Sequence, residues 1–535
     1  MKANRRMWIF AGTVVLGGAL RLPALGTRPM HADEAVHAAK LGQLLERGRY
    51  EYDPIEYHGP TLNYLTLLPA RLRGITRYAD LDEVTLRIVP AAAGVLLVAG
   101  HALLVPVIGF PAAAAAALLA AVSPAMVYYS RYYIQEMLLV AFSFGALLSI
   151  CRFVQKARLT WAFGAGASFG LMYATKETWV IAFASMLAAA GLMWTFERRR
   201  APAERWSTRG HGTYLAAAAL TALAVSGLFF SSFLSHPRGV VDSVLAYRSY
   251  VERAAGASWH FHPWHYYFDL LLYSHTTGAP IWSESLIAAL AVAGAVAGLT
   301  HAGPAGSDRR LLGFIGLYTL LMTAAYASIP YKTPWCLLGF LHGLVLLAGV
   351  GAVRLFTLAR DARVRRVVAA CLVAGVAHLG WQAWAGSFRF AADPRNPYVY
   401  AHTGTGVFEI AKRVEGLALA HPQRQRMPIE VISSGNLWPL PWYLRRFPDV
   451  RWETSPVRGA GCAPVILGTP DMEGAIVQKL YEWRPPGERE LYVPIFDTAV
   501  ELRPQVEVRG YAAKSLWDAY QQPGTALPPG ASAVR

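Results

Sequence analysis

Long apolar stretches recur along this chain of 535 residues and constrain its fold more than any other feature. A helix needs about 20 mostly apolar residues to cross a hydrocarbon layer of about 30 Å, because its backbone amides must be satisfied within the segment. Hydrophobic residues make up 54% of the chain and charged residues only 16%, a balance that a soluble core does not need. We therefore predict an α-helical polytopic membrane protein with about eleven transmembrane helices. The predicted spans are 7 to 25, 86 to 108, 111 to 129, 135 to 151, 159 to 174, 178 to 196, 213 to 233, 282 to 300, 311 to 328, 335 to 358 and 366 to 385.

Lysine and arginine cluster beside alternate spans, as they do in the cytoplasmic loops of membrane proteins. With eleven spans, every cluster falls on the side of the amino terminus, which predicts a cytoplasmic N-terminus and an extracytoplasmic C-terminus in an inner or plasma membrane. The net charge of +16 then reflects topology and attraction to anionic membrane lipid, so no nucleic-acid partner is predicted. The clusters are Lys2, Arg5 and Arg6; Arg152, Lys156 and Arg158; Arg198, Arg199, Arg200, Arg205 and Arg209; Arg309 and Arg310; and Arg360, Arg363, Arg365 and Arg366.

The same topology predicts two domains. Residues 1–385 form a transmembrane domain with a first outer loop at 26–85 and a second outer loop at 234–281. Residues 386–535 form an extracytoplasmic α/β domain with a disordered end, because the composition shifts there after a Pro-rich segment.

Within this C-terminal domain, hydrophobic periodicity predicts individual elements. Helical patterns cover 405 to 420 and 471 to 484, and strand-like runs cover 429 to 433 and 464 to 468. These elements are typical of a small α/β domain.

Two adjacent carboxylates, Asp33 and Glu34, begin a helical pattern directly after the first span. Acidic residues in a first turn favour the positive end of a helix, so a capping role alone would explain them. Asp33 and His37 are four residues apart and share a face, whereas Glu34 projects about 100° away from Asp33. One carboxylate can therefore act in catalysis while the other is structural, and we favour Asp33 for catalysis.

Further charged residues lie on other predicted outer turns. Arg131 lies among four tyrosines, where an interfacial aromatic belt with a snorkelling arginine would explain it and a lipid-linked phosphate would suit its guanidinium. Lys176 and Lys332 lie on two more short outer turns, and the three cations can converge on one anion.

Four strings along the chain, DE after the first span, HGPTLNYL, SRYYIQEMLL and TKE, resemble the GT-C-type glycosyltransferases that use polyprenyl-phosphate sugars. These form the protein O-mannosyltransferase and aminoarabinose-transferase superfamily, which typically carries DE, then HPPL, then an arginine followed by an acidic residue. Here His58-Gly59-Pro60-Thr61 stands in place of HPPL. IPYKTPWCLL, NPYVYAHT and WPLPWYLR more closely resemble a flippase-activity-associated prokaryotic branch.

The resemblance implies a GT-C-like transmembrane domain and transfer of a sugar, with inversion, from a polyprenyl-phosphate donor to a hydroxyl of an acceptor glycan, lipid or protein. Asp33 would deprotonate that hydroxyl, and Glu34 and His58 complete the implied catalytic set. No cofactor is firmly implied, although a divalent metal stays open. The implied substrate-binding residues are Glu56, Arg131, Glu136, Lys176, Glu177, Tyr331 and Lys332.

The second outer loop is rich in histidine and aromatic residues. His260, His262, His265 and His275, with Glu284, invite a metal hypothesis, because imidazole is a common metal ligand. The spacing matches no established metal motif, and the surrounding tryptophans and tyrosines favour an aromatic segment that stacks on sugar or isoprenoid.

Two other function classes remain open. A non-catalytic protein of the same fold would bind lipid-linked sugars or assist their flipping. A secondary transporter would show internal repeats and buried midplane charges, whereas the ionisable residues here cluster at the predicted outer surface.

Overall fold

The computed structural model describes residues 2–55, 58–200, 211–255, 260–300 and 302–522, and most of this chain is helical. The helices of the first half are α1 (Lys2–Arg21), α2 (Ala32–Arg47), α3 (Thr61–Leu72), α4 (Glu83–Gly100), α5 (Val105–Ile108), α6 (Phe110–Val122), α7 (Pro124–Tyr129), α8 (Glu136–Gln155), α9 (Leu159–Tyr173), α10 (Trp179–Arg200) and α11 (Gly212–Phe230). Those of the second half are α12 (Arg238–Ala255), α13 (Tyr266–Leu272), α14 (Ser285–Leu299), α15 (Arg309–Ser328), α16 (Leu338–Leu358), α17 (Ala362–Trp384), α18 (Gly406–Ala420), α19 (Leu440–Tyr443), α20 (Glu473–Val477) and α21 (Lys514–Gln521).

Every segment predicted to span a membrane is helical, which confirms the polytopic helical fold class. Seven helical segments of the described chain are long and apolar enough to cross a membrane by length and composition. The other predicted spans coincide with α1, α6 continued by α7, α9 and α14, which are shorter or more charged. The seven are Glu83–Ile108, Glu136–Gln155, Trp179–Phe196, Gly212–Phe230, Arg309–Ser328, Pro334–Leu358 and Ala362–Arg389.

Glycines allow the closest helix crossings in this bundle. A Cβ at Gly294 of α14 would lie 1.9 Å from the Leu347 carbonyl oxygen of α16, and a Cβ at Gly351 of α16 would lie 1.9 Å from the Leu290 oxygen. Helices α14 and α16 therefore touch backbone to backbone, an approach that small residues permit in apolar surroundings.

A six-stranded sheet with flanking helices forms the C-terminal domain. Strands β1 and β3, with helix α18, confirm three predicted elements, and α20 with the π-helical turn Gln478–Glu482 covers much of the fourth. The predicted disordered end falls largely on 523–535, outside the described residues. The strands are β1 (Ile429–Ile432), β2 (Val450–Glu453), β3 (Val465–Gly468), β4 (Tyr492–Pro494), β5 (Val500–Arg503) and β6 (Val506–Ala513).

The sheet order is β2-β1-β3-β6-β4, with β5 paired to β6. Strand β1 runs parallel to both β2 and β3, and β6 runs antiparallel to β3, β4 and β5. The carboxyl ends of β1, β2 and β3 consequently lie along one edge of the sheet.

This domain docks on the first outer loop through buried hydrogen bonds. The Trp442 indole donates to the Glu83 carboxylate at 2.8 Å, and the Met30 amide donates to the Tyr443 hydroxyl at 2.9 Å. Arg445 donates to the Leu81 carbonyl at 2.6 Å. These contacts bring the sheet domain beside Asp33.

Candidate active site

The adjacent carboxylates at the start of α2 have opposite environments. His31 is the N-cap: its Nδ1 accepts from the Asp33 amide, and the Glu34 carboxylate accepts from the His31 amide at 2.9 Å. This capping box fixes where the helix begins. The Glu34 side chain is fully buried, whereas the Asp33 side chain is 49% exposed.

Two arginines hold Glu34 in place. Arg87 reaches its two carboxylate oxygens at 2.8 Å each, Arg28 approaches at 3.0 Å, and the Tyr133 amide donates at 2.8 Å. Burial alone would raise the pKa of Glu34, but the charges of Arg28 and Arg87 outweigh it and hold that pKa well below its usual range. The Glu34 carboxylate is thus an anion that ties the first outer loop to α4 and to the start of α8.

Arg131 belongs to the same structural region. Its guanidinium donates to the carbonyl oxygens of Arg21 at 2.8 Å, Pro23 at 2.7 Å and Ala24 at 3.1 Å, at the end of α1. Burial, with the nearby charges of Arg28 and other arginines, lowers the pKa of Arg131 to about 9. The predicted phosphate ligand therefore contacts backbone oxygens of its own chain in this structure.

Asp33 presents its carboxylate at the opposite side of this turn. Among the described residues, its nearest ion-pairing group is the His31 imidazole, at 3.9 Å. The His31 Nε2 lies 3.1 Å from the Tyr400 carbonyl oxygen and donates to it, so Nδ1 serves as an acceptor and leaves the Asp33 carboxylate open. The negative charge of Asp33 acts on His37, on His260 of the second outer loop and on Arg503 of β5.

The His-Gly-Pro segment packs directly against the Thr-Lys-Glu turn. A Cβ at Gly59 would lie 2.2 Å from the Ala174 carbonyl oxygen, so only glycine fits here. This approach lets His58 Nδ1 reach the Glu177 carboxylate at 2.7 Å, and the Tyr52 hydroxyl donates to the same group at 2.8 Å. Burial raises the pKa of Glu177, but His58 and these hydrogen bonds overcome it and lower that pKa to about 2.

His37 lies behind Asp33 on α2 and is buried. Burial lowers the pKa of His37 to about 3, with help from the charges of His58 and Lys176 and against the charge of Asp33. The imidazole therefore stays neutral at neutral pH, and its Nδ1 accepts from the side-chain amide of Gln135 at 3.4 Å. The charges of Asp33, His58 and Lys176 all act on His37. Its position four residues after Asp33 already indicated that the two share a face of α2.

Lys176 and Glu136 form a buried ion pair. The pair lines a small cavity together with Tyr326, Trp335 and Cys336. Both predicted substrate-binding residues therefore face the same enclosed space, with the lysine charge balanced by the carboxylate.

Lys332 is bound differently. Its ammonium donates to the carbonyl oxygens of Ile329 and of His262, the latter at 3.2 Å. No carboxylate of the described chain lies within ion-pair distance of it. Burial lowers the pKa of Lys332 from its usual value. This cation has neutral partners in the described chain.

Tyr331, His260 and Tyr400 form an aromatic cluster next to Lys332. The Tyr331 ring lies 4.8 Å from the His260 ring, and the Tyr400 hydroxyl lies 2.8 Å from His260 Nδ1. Tyr400 belongs to the string NPYVYAHT, which carried part of the sequence resemblance. Arg503 joins the site from β5, and no signal in the sequence pointed to it.

The remaining predicted residues are placed as follows. Glu56 lies outside the described residues. Glu284 is buried and accepts from Ser123, Tyr398 and the Ala125 amide, away from the histidines of the second outer loop. In residues 2–55, 58–200, 211–255, 260–300 and 302–522, no three His, Cys, Asp or Glu side chains are grouped to hold a metal ion.

Part of this candidate site lies in a segment that matches a known family model. Residues 58–229, which include the His-Gly-Pro segment, Arg131 and the Thr-Lys-Glu turn, match the family model described as dolichyl-phosphate-mannose-protein mannosyltransferase. No curated protein sequence matches the chain significantly.

Solved structures share the fold across nearly the whole chain. ArnT from Cupriavidus metallidurans bound to undecaprenyl phosphate superposes with a TM-score of 0.62 at 15% identity, covering 99% of this chain and 100% of that one. Its apo state gives 0.63 at 14% identity, covering 96% and 99%. The Archaeoglobus fulgidus oligosaccharyltransferase in complex with Zn and sulfate gives 0.54 at 13% identity, covering 87% and 68%. Residues 58–229 therefore match a mannosyltransferase family model, and the chain shares its fold with ArnT and with the oligosaccharyltransferase.

Proposed function

We propose that this protein transfers a sugar from a polyprenyl-phosphate donor to an acceptor hydroxyl outside the cytoplasm, with inversion at the anomeric carbon and with Asp33 as the base. The observation that carries the proposal is the division of labour at the start of α2. Glu34 is buried between Arg28 and Arg87, while the neighbouring Asp33 carboxylate is half-exposed.

The base function follows from the Asp33 carboxylate. A general base must be ionised and within hydrogen-bond reach of the proton that it takes. Asp33 lies in the first turn of α2, at the positive end of the helix dipole. Its exposure leaves room for an acceptor hydroxyl, and the buried His37 behind it does not compete for the proton, because the pKa of His37 is only about 3.

We assign the donor phosphate to the predicted cations Lys332 and Lys176. ArnT, which shares the fold, binds undecaprenyl phosphate. Lys332 suits this role best here, because its partners Ile329 and His262 are carbonyls and its charge is available to an anion. Lys176 suits this role less well, because it is already paired with Glu136.

The reaction balances in one displacement. The acceptor oxygen loses its proton to Asp33 and attacks the anomeric carbon, and the bond from that carbon to the phosphate oxygen breaks. The polyprenyl phosphate leaves as an anion, which Lys332 stabilises as its charge develops.

The test is transfer from a panel of radiolabelled polyprenyl-phosphate sugars, measured in membranes of cells that make the wild type, Asp33→Asn or Asp80→Asn. Asp80 is a matched carboxylate of the first outer loop that pairs with Arg77 at the surface. We expect transfer to fall about 10²- to 10⁴-fold in Asp33→Asn alone, with donor binding retained. Undiminished transfer by Asp33→Asn contradicts the base, and binding of donors without transfer by the wild type favours a non-catalytic lipid-linked-sugar protein instead.

A further inference from the structure

A cleft of about 450 Å³ opens in the C-terminal domain at the carboxyl ends of β1 and β2. Ligands of α/β sheets bind at this edge, because the loops that follow parallel strands diverge there. The volume is typical of a small-molecule site. The cleft lies outside the membrane helices, and none of its lining residues belongs to the candidate active site.

The wall of the cleft combines two indoles with polar groups. Trp438 follows β1 and Trp452 belongs to β2, where its side chain is 43% exposed. Asn436, Glu453 and Thr454 stand beside them. Rigid aromatic faces with a few placed polar groups are what a ligand with an apolar face and a hydroxylated edge requires.

Hydrogen bonds within the loop between the two strands fix its conformation. The Trp438 amide donates to the Asn436 side-chain oxygen at 2.8 Å, and the Gly435 amide donates to the Ser433 hydroxyl at 3.1 Å. Within the described residues, no protein group bonds to the Glu453 carboxylate or to the Asn436 side-chain NH₂. The cleft is therefore lined by an acceptor and a donor that have no protein partner among the described residues.

The Glu453 carboxylate limits the class of ligand that the cleft can bind. A carboxylate in the wall repels phosphate and other anions, while it accepts hydrogen bonds from hydroxyls. The indole faces of Trp438 and Trp452 suit the C–H face of a sugar ring. A neutral saccharide meets both requirements at once.

Arg503 connects the cleft loop with Asp33. Its guanidinium donates to the Asn436 carbonyl at 2.7 Å, so it contacts the loop that lines the cleft. Its guanidinium Nε is buried and has no hydrogen-bond partner among the described residues. The charge of Asp33 acts on Arg503, which makes Arg503 the element common to the cleft and the active site.

We infer that this cleft binds a neutral saccharide of the acceptor, holding it by Trp438 and Trp452 so that the next hydroxyl along the glycan reaches Asp33. The placement of that hydroxyl rests on the proposed function, whereas saccharide binding in the cleft does not.

The test uses the full-length protein in lipid nanodiscs without any donor. Saturation-transfer NMR measures binding of three neutral trisaccharides, mannotriose, maltotriose and arabinotriose, with glucose 1-phosphate as the anionic comparison. We expect binding of at least one neutral trisaccharide, and about tenfold weaker binding in Trp452→Ala. Trp483→Ala, which alters a tryptophan of the same domain outside the cleft, should bind as the wild type does.

Two further variants separate the possible failures. Thr454→Val changes an exposed lining residue without removing an indole, so weaker binding in this variant supports the cleft even where Trp452→Ala does not fold. Asp33→Asn should keep full saccharide binding, because Asp33 is not a lining residue of the cleft. This expectation does not depend on whether Asp33 is the base. Absence of neutral-saccharide binding by the wild type, or equal binding by the wild type and both cleft variants, overturns the inference.

Discussion

Two charged regions meet in the first outer loop and use the same kinds of residue for different ends. In the structural region, Glu34 is enclosed by Arg28 and Arg87, and Arg131 is bound to backbone carbonyls at the end of α1. In the reactive region, Asp33 is half-exposed and Lys332 is bound to carbonyls without a carboxylate.

The difference lies in how far each charge is compensated by the protein itself. A buried ion pair with further hydrogen bonds stabilises one arrangement and leaves nothing for a ligand. In the proposed reaction, a half-exposed carboxylate and an ammonium bound to neutral carbonyl oxygens are available to a hydroxyl proton and a phosphate. The two regions therefore contain the same types of charged residue and differ in the partners that those residues have.

The largest expected effect concerns the structural region. Arg87→Ala leaves the buried Glu34 with only Arg28 as a charged partner, and breaking such a buried pair costs about 3–5 kcal/mol. We expect a much lower thermal midpoint of the purified protein in detergent. Arg77→Ala, which removes an exposed pair with Asp80, should leave the midpoint unchanged. Equal midpoints for Arg87→Ala and the wild type would abolish the distinction between the two regions.

A smaller effect is expected in the reactive region. Lys332→Gln removes the cation but keeps a polar side chain, and loss of a charge-assisted contact lowers donor affinity about 10- to 100-fold. Titration with undecaprenyl phosphate measures this loss, and the thermal midpoint should change little. Lys514→Gln, a change at a surface lysine paired with Asp518, is the matched control. If Lys332→Gln binds undecaprenyl phosphate with wild-type affinity, Lys332 is not part of the phosphate site.

Gly59 lies in neither region but brings His58 to Glu177, so its substitution adds a third contact to the comparison. Gly59→Ala places a Cβ 2.2 Å from the Ala174 oxygen, and relief of that overlap costs about 1–3 kcal/mol while it separates His58 from Glu177. We expect a moderately lower midpoint and reduced transfer together. Gly191→Ala has open space around the new methyl group and should alter neither quantity. A fully active Gly59→Ala enzyme would mean that the His58–Glu177 contact is dispensable.

The smallest effect is a pH dependence. The pKa of Glu177 is lowered to about 2, so the stability that its ionised form contributes is complete above the ordinary carboxyl pKa of about 4.3 and is lost as pH falls toward 2. The midpoint difference between the wild type and Glu177→Gln should be constant from pH 7 to about 5 and should narrow below that. A difference that widens on acidification has the wrong sign for this account.

Local patterns in the sequence predicted what local physics decides. Apolar runs located the helices of the bundle, and acidic residues after the first span located the start of α2. The 3.6-residue period also indicated that Asp33 and Glu34 face different ways. Each of these features depends on neighbours within one or two turns of the same helix.

Features that depend on distant partners were beyond the sequence. Arg87 lies 53 residues from Glu34, and nothing in its local pattern marks it as the partner. Strands β2, β4 and β5 contain exposed or half-buried residues, so they lack the fully buried apolar runs by which β1 and β3 could be predicted. Arg503 reaches the candidate active site because the C-terminal domain docks through Trp442 and Arg445.

The most direct test compares the neighbouring substitutions Asp33→Asn and Glu34→Gln in one experiment. The rate of sugar transfer from a polyprenyl-phosphate donor is measured per folded molecule, beside the thermal midpoint of each variant. The account predicts that Asp33→Asn loses about 10²- to 10⁴-fold in rate at an unchanged midpoint, whereas Glu34→Gln lowers the midpoint and its folded fraction retains most of the rate. Loss of rate per folded molecule in Glu34→Gln with full activity in Asp33→Asn would contradict the account.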